Sequence, residues 1–472
     1  MTELKRSLNL FDAVMLVSGS MIGSGIFIVS ADMTRLLGSP FWVLMCWVIS
    51  GVITLFAALS YGELAGMMPQ AGGQFIYLKR AFGKQTSFVY GWTVFTVIQS
   101  GVIAAVAVAF ARYFGVFLPF FDEKHVLFSL LNISISSTQI LAVCSVFFLT
   151  WMNTYGVKGG KIIQAVFTST KLLALFGLIV IGFSYAATQG YWQHNIELPF
   201  NGHLKDGLNN DSLLAALGVA LIGSLFSSDA WNNVTFIAGE IKEPQRNIPL
   251  GLLIGVFIVT VLYILANMAY FMLLPALGSA DGATVIERGI AYAQNDRVGT
   301  AALFPIFGEV SALLMALLIV ISTFGCNNGL ILSGSRLYYS MAKDGLFFKS
   351  VAHLNQYQVP SKALWFQAFW ASVLCLSGSY GSLLNYCTFA SLFFYIVTIA
   401  ALFYLRKKEP DAPRPYKAYG YPIVPALYIL IAGAICIDLL IYKPKDTFLG
   451  LLIMGLGIPI YYSFKKNVQT NT

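Results

Sequence analysis

The chain has 472 residues, 57% of them hydrophobic and 11% charged, with a mean hydropathy of +0.73. Soluble domains carry about 25% charged residues, so this composition suits lipid as the main solvent. The formal charge of +8 does not point to nucleic acid, because no cluster of Lys and Arg marks a soluble basic face.

Apolar runs near the ~20 residues needed to cross ~30 Å of hydrocarbon recur from Leu10 to Phe464 with no soluble-sized interval between them. One membrane domain over 1–472 is therefore expected. Length and polar breaks predict twelve spans, at 10–36, 40–67, 86–118, 137–155, 161–184, 212–240, 249–274, 301–341, 360–377, 381–405, 421–442 and 447–464. Lys5 and Arg6 before the first run resemble the start of a signal peptide, but the run continues without a small-residue cleavage site and reads as a first span.

Alternate loops sort the basic residues. Twenty of the 29, including Lys5, Arg6, Lys161, Arg336, Arg406 and Arg414, fall on one side, and eight, including Arg35, Lys124, Lys205, Arg288 and Arg297, on the other. The positive-inside rule then puts both termini in the cytoplasm of an inner or plasma membrane. The outer loops near 185–211 and 275–300 are long and turn-rich, and read as lids over a vestibule. Six cysteines lie inside apolar runs without CxxC spacing, and four histidines lie between runs without an HExxH pattern, so neither a metal nor a cofactor is expected.

No repeat of 20–50 residues is visible. A longer symmetry is compatible with the count: spans one to five (10–184) and six to ten (212–405) make five-helix units. An odd number of spans inserts the second unit upside down relative to the first, as in transporters with inverted repeats. Residues 421–464 then form two trailing helices.

Two spans are interrupted. Span one carries Gly19, Ser20, Gly23, Ser24 and Gly25 near its centre, where each glycine costs about 1 kcal/mol relative to alanine in a helix. Gly19 and Gly23 alone make a GxxxG packing face, but Gly25 leaves that stripe, which favours an unwound segment. Span six places Ser227, Ser228, Asp229, Asn232 and Asn233 inside an apolar run. An acidic residue at that depth is tolerated only against protein or a water-filled cavity.

Interruptions at matching positions in two halves point to a transport site. A restarted helix offers free N–H groups to a carboxylate, and a stopped one offers carbonyls to an ammonium. The backbone of Ser24 and Gly25 is expected to take a carboxylate, and carbonyls near Met21, Phe226, Ser227 and Asp229 an ammonium. Gly23 and Gly25 are expected to leave room for the ligand to approach the main chain.

Lys171 lies ten residues into span five from Lys161, roughly 15 Å deep at about 1.5 Å per residue. Snorkelling does not reach from there, so its amine must be paired or neutral. It is read either as a fixed cation or as a proton carrier, with the polar patch Ser322-Thr323-Phe324-Gly325-Cys326-Asn327-Asn328 of span eight as its partner.

These segments resemble the amino acid, polyamine and organocation superfamily, and within it the bacterial relatives of the L-type amino-acid transporters. The resemblance covers almost the whole chain. It rests on GSMIGSGIF at 19–27, IIQAVFTSTKLLAL around Lys171, FSSDAWNN at 226–233 followed by Gly239-Glu240 and PQRNIP at 244–249, SRLYYSMAKDG at 335–345 and RPYK at 414–417. It implies an all-α membrane fold of twelve helices in the five-plus-five inverted repeat of sodium-coupled leucine transporters, working by alternating access. It further implies that Phe226 gates the substrate and that Lys171, with Ser322 beside it, stands where sodium-coupled members hold an ion. Members that join a glycoprotein do so through a cysteine after span three. Residues 115–137 contain none, so no disulfide-linked subunit is expected. Ser227 and Ser228 replace an expected Ala-Tyr pair, which leaves substrate size open.

The expected activity is sodium-independent exchange of neutral L-amino acids, with proton-coupled symport as the alternative. An ion channel would need a filter-like repeat, which is absent. A membrane enzyme would need a nucleophile pattern or a phosphate loop, and residues 156–161 fail that loop's spacing.

Overall fold

The computed structural model describes residues 4–122, 125–130, 133–186, 190–198, 213–377 and 380–469. Lys124, Lys205, His203 and most of the outer loop predicted at 185–211 lie outside the described residues.

Helices stand where the apolar runs lie. Eight of them are long and apolar enough to cross a membrane: Pro40–Met67, Lys84–Phe114, Gly160–Ala186, Pro244–Leu273, Val310–Lys343, Cys387–Lys408, Ile423–Tyr442 and Thr447–Phe464. Ser137–Thr154 and Ser361–Leu376 fill the predicted spans four and nine. The chain is thus a polytopic helical membrane protein. Local chemistry sets several ends. Asn9 and Asp12 form a reciprocal capping box at Leu10, Ser136 and Gln139 another at Ser137, and Gly38 closes Val29–Leu37 with a φ of 60° that suits glycine.

Two expectations are corrected. The run at 301–341 is not one helix but two, Val298–Phe307 and Val310–Lys343, because Gly308 turns the chain with a φ of 56°. A small antiparallel hairpin, Val126–Leu130 with Ile133–Ser136, lies between helices and leaves the all-α class intact. Arg336, counted as a cytoplasmic loop charge, lies inside Val310–Lys343, fully buried, with Nε 2.8 Å from Glu240 at the end of span six.

Span five shows how the bundle sorts its faces. Ile162, Val166, Leu173 and Phe176 are exposed, Leu173 by 70%, whereas Gln164, Thr168, Lys171, Leu175 and Leu178 are buried. The recurrence every three or four residues is helical, so one face meets lipid and the other meets span one. The first half of span one packs against spans five, seven and eight. Its leading residues are tied to span six, since Ser7 and Leu8 donate to the Glu240 carbonyl and Lys242 donates back to Leu8.

Candidate functional site

Span one stops at Met21 and resumes as a short turn, Gly25–Phe27, before Val29–Leu37. Stopping a helix strands its last carbonyls, which must find donors in a lipid-depth interior. All of those from Gly19 to Gly23 do. Lys171 Nζ donates to the carbonyls of Gly19 and Ile22, the latter at 2.7 Å, and approaches that of Ser322 at 3.4 Å. The Ser322 hydroxyl donates to Ile22 and Gly23 at 3.0 and 3.1 Å, Cys326 Sγ to Ser20 at 3.0 Å, and the Tyr263 hydroxyl to Met21 at 3.1 Å.

Beyond the break the situation reverses. The N–H groups of Gly23, Ser24, Gly25 and Ile26 find no acceptor among the described residues; the first closing bonds run from Phe27 to Ser24 and from Ile28 to Gly25. Free N–H groups beside a chain of satisfied carbonyls form an anion-accepting end.

Span six breaks after Ser227, with Asn233–Phe236 resuming it. Ala230 sits between at a φ of 65°, a left-handed geometry costly for a residue with a Cβ. The Asp229 carboxylate receives the hydroxyls of Ser391, at 3.1 Å, and Tyr395 from span ten. Tyr395 and Asn232 extend the network to Gln74, which also binds Thr398 at 2.7 Å. Asp229, Ser391 and Tyr395 border two small cavities, one lined also by Gln74, Gln99 and Tyr90, the other by Thr54, Trp231 and Tyr428.

The two breaks meet. A Cβ built on Gly25 would lie 2.9 Å from the Cβ of Ser227 and 3.3 Å from its Cα. This corrects the expectation for Gly25: the space above it holds Ser227, so the glycine is required for the two broken helices to touch. Gly23 meets only Cys326 Sγ at 3.7 Å, an ordinary contact, whereas Gly19 is pressed against Gln164 and Thr168 of span five. Packing therefore explains Gly19, and unwinding explains Gly23.

Two further details differ from expectation. Lys171 faces the main-chain oxygen of Ser322, while the Ser322 hydroxyl turns to span one. The Phe226 carbonyl closes a turn with the Asp229 N–H at 3.1 Å, and the Met21 and Ser227 carbonyls already share the Tyr263 hydroxyl. Phe226 itself is partly buried against the core.

The sequence reading missed Tyr263, which donates to both breaks at 3.1 Å and is fully buried in span seven. One turn along, Asn267 receives the hydroxyl of Ser30 in the second half of span one. The available signal was a Tyr and an Asn four residues apart inside an apolar run, since polar tips at that depth need partners.

A profile of the amino acid permease family matches residues 8–457. The chain belongs to that family. It is 29% identical over 464 residues to the large neutral amino acids transporter small subunit 2 of Mus musculus, covering 97% of this chain and 81% of that one. It is 28% identical to the serine/threonine exchanger SteT of Bacillus subtilis (strain 168), covering 98% of each. It is also 29% identical to the human cystine/glutamate transporter, covering 98% of this chain and 86% of that one. Amino-acid transport is thus shared across this permease's relatives, exchangers among them. No group of His, Cys, Asp and Glu among the described residues has the geometry of a metal site.

Proposed function

We propose that this permease exchanges neutral L-amino acids without sodium, by alternating access, in the cell's inner or plasma membrane with both termini cytoplasmic. The observation that carries the reading is the polarity of the break in span one: unpaired N–H groups from Gly23 to Ile26 on one side, donor-capped carbonyls on the other. The α-carboxylate lies on the N–H groups of Ser24 and Gly25. The ammonium takes the remaining lone pairs of carbonyls at Met21, Phe226, Ser227 and Asp229, since a carbonyl accepts two bonds. Phe226 gates the substrate. Twelve spans, arranged as inverted repeats over 10–184 and 212–405 with trailing helices at 421–464, supply the two moving units.

Lys171 and Ser322 act as a cation surrogate. Sodium is disfavoured beside an ammonium already bonded to the carbonyls of Gly19 and Ile22. With no cysteine at 115–137, we propose no disulfide-linked glycoprotein subunit. Liposomes loaded with each amino acid in turn test the reading through uptake of a labelled one. Uptake driven only by internal substrate, and indifferent to sodium, is expected; uptake into empty liposomes driven by sodium would overturn it.

Proton-coupled symport is favoured by one observation of its own. The Asp229 carboxylate at membrane depth has hydroxyl partners, Ser391 and Tyr395, and no ion pair among the described residues. Accumulation driven by an imposed pH gradient and lost in Asp229→Asn would establish it over exchange.

A further inference from the structure

Besides the cavities at the breaks, a larger one of about 460 Å³ lies between the outer loop and the helix Val298–Phe307. Arg288, Arg297 and Glu309 line it, together with Gln294, Thr300 and Phe304. None of the three charged side chains is in an ion pair among the described residues, although Arg35, Asp296 and Asp32 nearby are all paired. Both arginines are anchored by other means. Arg288 Nε donates to the Gly282 carbonyl at 2.7 Å, and the Arg297 guanidinium lies 5.0 Å over the Tyr113 ring. Two held cations and a carboxylate around one space, each without a protein counter-ion, match a ligand that brings both charges.

The cavity's wall also touches the broken helix. Arg297, Thr300, Ala301 and Phe304 face the cavity, whereas Gly299 packs 3.2 Å, from a built Cβ, against Phe27 just beyond the break in span one. Asn295, which lines the cavity, and Asp296 form a left-handed pair with φ of 53° and 59°, an arrangement that costs free energy and persists where surroundings hold it. Arg35, in the outer half of span one, holds it from outside through Asp296 at 2.6 Å and the Ala291 carbonyl at 2.7 Å.

We propose that this outer cavity is a second binding site for a free zwitterionic amino acid, its carboxylate on Arg288 and Arg297 and its ammonium on Glu309, and that occupancy acts on span one through Phe27 and Arg35. The proposal rests on the transport reading for its choice of ligand. A phosphatidylethanolamine headgroup carries the same paired charges, and exposed Phe307 and Val310 border the helix ends, so the test separates the two sources.

Equilibrium binding of labelled leucine and labelled serine is measured on the full chain in nanodiscs of phosphatidylcholine and phosphatidylglycerol, alongside exchange in liposomes. Gly25→Val disables the central site, and the binding that survives is expected to weaken about tenfold with Arg297→Gln, as for a lost charge-assisted bond. Arg297→Lys is expected to recover part of it, and Glu309→Gln to weaken it comparably. If Gly25→Val removes all binding while the wild type exchanges normally, the outer site is overturned and the transport reading stands. If the wild type neither binds nor exchanges, both fall. Binding to Gly25→Val that disappears when phosphatidylethanolamine replaces phosphatidylcholine would assign the cavity to lipid and overturn the proposal.

Discussion

The breaks in spans one and six do the same thing to a helix and are held open differently. In span one the backbone carries the proposed site: donors from spans five, seven and eight cap the carbonyls from Gly19 to Gly23, and the opposite N–H groups have no acceptor among the described residues. In span six the proposed site rests on side chains, with Asp229 and Asn232 bound into span ten and Gln74, and the Ser227 carbonyl tied across to span seven. A backbone site recognises what every amino acid shares. A side-chain site distinguishes one from another, so selectivity should be sought in span six and capture in span one.

The largest effect is expected at the point where the breaks touch. Gly25→Val places a branched side chain where Ser227 packs, and neither main chain can yield without moving the unpaired N–H groups. Substrate exchange should vanish while detergent-solubilised protein remains monodisperse; exchange at the wild-type rate would refute the contact between the breaks.

Lys171→Ala comes next. It strips the donor from the Gly19 carbonyl, at about 1–3 kcal/mol when left buried and unsatisfied, and leaves the Ile22 carbonyl to the Ser322 hydroxyl. Transport should fall severely for every substrate alike, because the backbone site is common to all of them. A change in substrate preference, with the rate preserved, would place Lys171 in the side-chain site instead. Arginine, bulkier and forked, should not rescue it.

Tyr263→Phe removes one hydroxyl shared by both breaks, and a loss near tenfold in exchange is expected for about 1–1.5 kcal/mol. Its failure would be general, like that of Lys171→Ala, if the hydroxyl serves span one, and substrate-dependent if it serves span six. Measuring exchange for several amino acids in one preparation separates the two. Phe226→Ala should have the smallest effect on the fold, since Phe226 is only partly buried. As a gate it should lose turnover with little change in melting temperature, and unchanged kinetics would remove that role.

Some of this was legible because its cost is local. Three glycines, an aspartate and a lysine are each unfavourable inside an apolar run whatever surrounds them. Their positions alone located both breaks and marked Lys171 as a buried group in need of partners, whereas its bonds to the span-one carbonyls came only with the structure. Composition and run length likewise sufficed for a polytopic helical chain. The expectation that Gly25 opens space for a ligand failed for the complementary reason, since the occupant of that space, Ser227, comes from more than 200 residues away.

What only the tertiary structure decided is pairing. Which donor caps which carbonyl depends on the rotation and crossing of four helices at once, and a shift of one residue turns a side chain by about 100° around its helix. That is why Tyr263 could be seen as polar but not as the bridge between two breaks. It is also why Arg336, plain in sequence as one more basic residue near a loop, became a buried partner of Glu240. Free-energy penalties written into a segment are visible in its residues, but the groups that relieve them are chosen by the packing of the whole bundle.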